Sequence, residues 1–246
     1  MTLALQPVFA AGGPVIPNFG GGSNCVVQNH QFCMSWFLDN FHSVFGPAIV
    51  QHIVLTLIAV GVGMPIAFGA AIFAYKQNWF ETPFSLFAAF LYTIPSLALF
   101  ELLVQVTGIN RFTAEVGLVS YTLLILFRNT LTGLRGVPPA TIEAAQAMGL
   151  TPRQTLLRVE LPLATPAIMA GVRIATVTTI SLATVAAYIG GGGLGALIFD
   201  AIQSGFKTEF VAAGALAILL AIVADILLVL LQRVITPWSR RRLQTT

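Results

Sequence analysis

Glu143-Ala144-Ala145-Gln146-Ala147-Met148-Gly149 is followed by nine residues and then by Val159-Glu160-Leu161-Pro162, and the whole stretch lies between two long apolar runs. Its pattern is a short helix, a glycine-centred break and a second short helix. Ala144 and Ala145 are small, so a partner surface can approach closely. Gly149 permits a backbone turn that a Cβ would penalise. Pro152 suits the first turn of the second helix, and Pro162 marks the boundary with the apolar run beyond it. Glu143 offers a charge, either to a basic or amide group on a partner or to the positive end of its own helix.

Working outward, the rest of the chain is built for lipid. Hydrophobic residues make up 57% of the 246 residues and charged residues 9%, where a soluble domain carries about 25% charged residues. Mean hydropathy is +0.87. At about 20 apolar residues per crossing, the expectation is an all-α membrane protein with five transmembrane helices. These run from Pro47 to Tyr75, Pro83 to Val106, Ala114 to Leu134, Pro162 to Ile189 and Phe210 to Val234. The second contains Pro95 and Glu101. Residues 1–46 form an N-terminal segment, 47–235 the membrane domain with its loop 135–162, and 236–246 a basic tail. The segment lacks the positive start of a signal peptide, and Gly12 to Ser23, rich in Gly and Pro, reads as an irregular tail.

Short-loop cations set the orientation. Arg135, Arg153 and Arg158 lie in the loop, and Arg240, Arg241 and Arg242 close the chain. Placing both groups in the cytoplasm puts Lys76 inside and the N-terminus outside. Arg111 is the one opposing vote.

The loop resembles the signature cytoplasmic loop of ATP-binding cassette (ABC) importer permeases, with Val159 in place of the usual Ile. Thr93-Ile94-Pro95-Ser96-Leu97-Ala98-Leu99, Arg128-Asn129-Thr130, Glu160-Leu161-Pro162-Leu163-Ala164 and the glycine run after Ile189 are similar to the osmoprotectant branch, over roughly Gln51 to Arg233. The resemblance implies the five-helix importer permease core in the cell membrane. It implies Glu143, Ala144, Ala145, Gly149, Val159, Leu161 and Pro162 as the loop coupling it to an ATP-binding subunit. It also implies a second permease subunit, an extracytoplasmic binding protein, and glycine betaine, carnitine, choline or proline betaine as cargo. The alternatives are an amino-acid importer permease or, from another class, a secondary transporter or channel. A secondary transporter would show inverted hydropathy halves, and none is visible.

Several functions are excluded or held open on residues. The chain has no G-x-x-x-x-G-K-[ST] phosphate loop, so ATP hydrolysis is expected in a partner and not here. Gly190, Gly192 and Gly195 satisfy G-x-G-x-x-G but follow a hydrophobic span where a dinucleotide fold needs a strand. No cofactor is expected. No basic patch is interleaved with aromatics, which argues against nucleic acid. His30, His42 and His52 are scattered and read as membrane-flank residues, so no metal site is expected. Gly190, Gly191, Gly192 and Gly193 read either as a flexible outer gate or as a simple outer turn. Cys25 and Cys33 lie in the segment assigned outside, where a disulfide persists.

Charges inside spans are functional candidates by default. Arg173 and Asp225 both fall roughly 12–16 Å deep from the cytoplasmic side at 1.5 Å per residue, so they form either a structural ion pair or part of a translocation path. Thr176, Thr178, Thr179, Ser181 and Thr184 either line that path or bond within their own helix. Glu101 and Arg128 lie nearer the span ends.

Overall fold

A computed structural model describes residues 24–238. The Gly12–Ser23 tail and the Arg240–Arg242 triplet lie outside the described residues. The elements in order are α1 (Asn24–Val27), α2 (Met34–Asn40), α3 (Gly46–Lys76), α4 (Asn78–Thr93), α5 (Ser96–Thr107), α6 (Arg111–Arg135), α7 (Pro139–Ala147), α8 (Pro152–Thr155), α9 (Leu161–Ala186), α10 (Leu194–Ser204) and α11 (Lys207–Ile235). Among the described residues, four helices are long and apolar enough to cross a bilayer, and α4 with α5 makes a fifth if the bent pair is one span.

The second span departs from the straight helix expected. It breaks at Ile94-Pro95, and α5 leaves α4 at 100°. Pro95 has no N–H to give and pushes the residue before it out of helical geometry. Ile94 accordingly sits at φ −66°, ψ 128°. Its freed carbonyl is met by the Tyr121 hydroxyl, which donates from α6 at 2.5 Å. Glu101 therefore belongs to a tilted helix and is exposed.

α6 is the hub, packed against α3, α4, α5 and α9. Apolar side chains gain little by leaving lipid for one another, so close approach of small residues holds such helices together. Ala67, Ala71 and Ala74, spaced i, i+4 and i+7, are buried on one face of α3 in the cluster built around Phe127. A Cβ on Gly63 would collide with Thr122 of α6, and one on Gly171 of α9 would stand 2.5 Å from the Asn129 Cβ. α11 lies at the periphery with most of its apolar surface uncovered.

Three prolines expected to start spans do not. Pro83 lies inside α4, which begins at Asn78, and Pro47 and Pro162 lie within longer runs. Met34–Lys76 is one continuous helical run, and so is Pro152–Ile189. In each, a π turn precedes the proline: Phe41–Phe45 before Pro47 and Leu156–Glu160 before Pro162. The Gly46 N–H reaches the Phe41 carbonyl, and the Leu161 N–H reaches the Leu156 carbonyl. Widening the turn to i→i+5 bonds accommodates a residue that lacks an N–H without ending the helix.

The N-terminal segment is ordered where it is described. Cys25 and Cys33 are joined, with Cα atoms 5.9 Å apart. Asn29, at φ 48°, donates to the Gly205 carbonyl at 2.8 Å and accepts from the Lys207 N–H at 3.1 Å. The Cys33 N–H donates to Thr208 Oγ1 at 3.0 Å. Trp36 meets Phe206 edge-on, centroids 4.7 Å apart. The disulfide hairpin thus clasps the junction of α10 and α11.

Candidate coupling elbow and intramembrane ion pair

Pro139 opens α7 at its first position, where a missing N–H costs nothing. The helix closes with the Gly149 N–H on the Gln146 carbonyl (2.9 Å) and the Leu150 N–H on the Ala145 carbonyl (3.2 Å). This Schellman closure needs a left-handed residue, and Gly149 supplies φ +85°. Two residues on, the Thr151 hydroxyl accepts from the Gln154 N–H while the Gln154 side chain accepts from the Thr151 N–H. That capping box, written in the sequence as T-x-x-Q, starts α8. Because α8 runs into α9 without a break, α7 is bracketed to a membrane span by one turn only.

The outward face of this elbow carries Glu143, Ala144, Gln146, Ala147 and Met148, all exposed, with Met148 at 74%. Ala145 does not belong to it. At 2% exposure it faces the chain's own interior, so its small size serves internal packing, contrary to the expectation from sequence. Glu143 lies beyond the first turn of α7, where the helix dipole has faded. Leu161 packs in the cluster of Leu134, Leu156, Ala164 and Ile168. Val159 and Pro162 line a surface cavity of about 280 Å³ with Arg158 and Trp238. The elbow's neighbour is an ion pair missed from sequence: Arg135, ending α6, bonds both oxygens of Glu81, near the start of α4, at 2.8 and 2.5 Å. Each residue falls near a helix end facing the same side, which was the available signal.

Deeper in the spans, the structure brings Arg173 and Asp225 together. Arg173 Nε donates to Oδ1 at 2.9 Å and a terminal nitrogen donates to Oδ2 at 3.0 Å. The side chains are 32% and 37% exposed. They face a cavity of about 440 Å³ whose other lining residues are Ala170, Ile174, Val177 and Thr178. Thr179 is not brought to them. It is 2% exposed, and its hydroxyl bonds the Ala175 carbonyl at 2.7 Å. Thr176 and Thr184 likewise bond carbonyls of their own helix. Arg128 is exposed on α6.

The glycine run is a packed turn. Gly190, Gly192 and Gly193 have φ of 86°, 77° and 69°. A Cβ on Gly192 would strike Gln51, and one on Gly193 would come 3.0 Å from His52 Nδ1. His52 is not at a membrane flank: it is fully buried in α3, with Nε2 3.0 Å from the Ile180 carbonyl of α9. The Gln51 amide donates to the Gly191 carbonyl at 3.3 Å. Among the described residues no group of three His, Cys, Asp or Glu could hold a metal ion.

Residues 60–241 match the family described as binding-protein-dependent transport system inner membrane components. The osmoprotectant import permease protein OsmW of Salmonella typhimurium is 42% identical over 193 residues, 76% of this chain and 89% of that protein. The choline transport system permease protein OpuBB of Bacillus subtilis is 36% identical over 195 residues, 79% of this chain and 89% of that protein. In fold, the chain superposes on an inward-facing form of the MetNI methionine ABC transporter with a TM-score of 0.70 at 20% identity, covering 80% of this chain and 99% of that one. The chain is a multi-pass membrane protein, a permease subunit belonging to the family of binding-protein-dependent transport system inner membrane components.

Proposed function

We propose that this permease moves osmoprotectant quaternary ammonium compounds inward, driven by ATP hydrolysis in a separate subunit. Relatives carry choline, or glycine betaine, carnitine and choline, by their names, and the permease chain itself needs no cofactor. The observation that carries the mechanical part is the elbow: an exposed helix, α7, held at a fixed angle and joined through α8 and one π turn to a full span. Closure of two ATP-binding subunits pushes α7, and α9 transmits the push. A second permease subunit completes the path, and an extracytoplasmic binding protein delivers cargo. Residues 1–46 lie outside and the tail 236–246 lies in the cytoplasm, with Gly190 to Gly193 at the outer mouth. Two measurements test the reading. Uptake by cells carrying the whole system, with glycine betaine, choline, carnitine and proline in competition, should show inhibition by the quaternary ammonium compounds; inhibition by proline alone refutes the cargo assignment. A reporter fused after Leu243 should be active only in the cytoplasm, and cytoplasmic access to Ser23 refutes the topology.

A further inference from the structure

We infer that the Arg173–Asp225 pair is an exchangeable site for a zwitterion, in which the guanidinium takes the cargo's carboxylate and the Asp225 carboxylate takes its quaternary ammonium. This rests on the osmoprotectant reading and adds a chemical selection within it.

Depth is the first argument. Arg173 lies about 18 Å along α9 from Leu161 and Asp225 about 15 Å along α11 from Ile235, counted at 1.5 Å per residue. Both are near the middle of a hydrocarbon core of about 30 Å. Ionisable groups at that depth face a bundle interior or a water-filled cavity. These face an open cavity of about 440 Å³, the kind of surrounding that charges at this depth require.

Exposure is the second. An ion pair that merely ties α9 to α11 would be sunk between them, with its lone pairs and protons enclosed. Here a third of each side chain is open, at 32% and 37%. An incoming molecule reaches both charges from one side.

The third argument is balance. Among the described residues, each charge is bonded to the other alone. Parting them leaves two unpaired charges in a wall whose one other polar side chain is Thr178. A zwitterion satisfies both at once and leaves the site neutral, as it was. A simple cation satisfies Asp225 and leaves Arg173 without an acceptor. The other cavities described offer no such pair. One is lined by Ile53, Leu57, Val223 and Leu227 with no charge, and another by His42 and Arg111 with no acidic partner.

The test is uptake of glycine betaine, a zwitterion, against choline, a cation with the same ammonium group, in cells carrying the complete system. Membrane level and co-purification of the ATP-binding subunit report assembly. Arg173→Gln should lower glycine betaine uptake about 10- to 150-fold relative to choline, the range for one charge-assisted hydrogen bond. Asp225→Asn should lower both. Where a single change prevents assembly, the exchange of Arg173→Asp with Asp225→Arg restores both charges and should recover assembly together with the preference for the zwitterion. An unchanged ratio of the two cargoes in assembled Arg173→Gln overturns the inference, as does an exchanged pair that assembles without the preference. Wild type importing choline alone overturns it while leaving the osmoprotectant reading intact. Wild type importing none of glycine betaine, choline, carnitine and proline betaine refutes that reading, and this inference falls with it.

Discussion

Replacing Gly149 isolates the geometry of the elbow from its packing. A Cβ built there meets no atom within 4 Å, and the backbone sits at φ +85°. Any penalty therefore comes from conformation and not from collision. For an ordinary L-residue the left-handed region costs about 1–2 kcal/mol, while Asn tolerates it because its side chain bonds locally. Val adds the stiffness of a branched Cβ. Since the Schellman bonds from Gly149 and Leu150 close α7, a residue that abandons φ +85° releases both and swings α7 away from α8. A cost of 1–2 kcal/mol reduces the population holding the productive angle by a factor of about 5–30. The series Gly149→Asn, Gly149→Ala and Gly149→Val should descend in that order: near wild type, reduced about 5- to 30-fold, and lost. Three readouts are needed: membrane level, co-purified ATP-binding subunit, and uptake. Membrane level should stay constant while the other two fall together. Gly149→Val that keeps subunit association and uptake refutes the coupling role. Gly149→Asn failing as badly as Gly149→Val refutes the conformational argument, because open space leaves nothing else to separate them.

Three further outcomes follow from the fold. Thiol labelling of unreduced, denatured protein should find neither Cys25 nor Cys33 free, and Cys33→Ser should destabilise the protein by about 2–3 kcal/mol through the lost closure of a short loop; two free thiols in protein from its native membrane contradict the pairing. Gly193→Ala should impair assembly, since its Cβ meets His52 at 3.0–3.2 Å and its φ is +69°, whereas Gly214→Ala, with nothing within 4 Å, should be neutral or stabilising by thermal denaturation in detergent; equal effects contradict the packed-turn description. Tyr121→Phe should cost about 0.5–1.5 kcal/mol by leaving the Ile94 carbonyl without its donor, and an unchanged melting midpoint shows that the break does not depend on that bond.

The spans were legible because hydropathy reports them directly. Gly46–Lys76, Arg111–Arg135 and Lys207–Ile235 start or end within a few residues of the apolar runs. Counting depth along the spans placed Arg173 and Asp225 level with each other, which is why their meeting was foreseeable. The break at Ile94 was not, although Pro95 was in view. Both halves are apolar, so hydropathy runs through the bend, and the hydroxyl that steadies it comes from a residue 27 positions away. Pro47 and Pro162 were misjudged for the opposite reason. Proline is read as punctuation, yet a widened turn let the helix carry on. The inward face of Ala145 depended on the rotation of α7 about its own axis, which Pro139, Gly149 and the neighbouring clusters fix together. Nor did spacing reveal His52, whose partner is a carbonyl on another span.

The two widened turns bear on how this chain tolerates changes in length. A π turn holds one residue more than the α-helix needs for the same rotation. Removing a single residue within 41–45 or 156–160 restores the facing of an ordinary α-helix, although it returns Pro47 or Pro162 to the i−4 clash that the widened turn avoids. Removing one inside α6 or α9 rotates everything beyond it by about 100°, at 3.6 residues per turn, and turns Arg173 away from Asp225 or Thr122 and Asn129 away from Gly63 and Gly171. When relatives of unequal length are aligned, a single-residue gap fits at Phe41–Phe45 where the relative lacks the proline, whereas Leu156–Glu160 lies within the fixed spacing of the coupling loop.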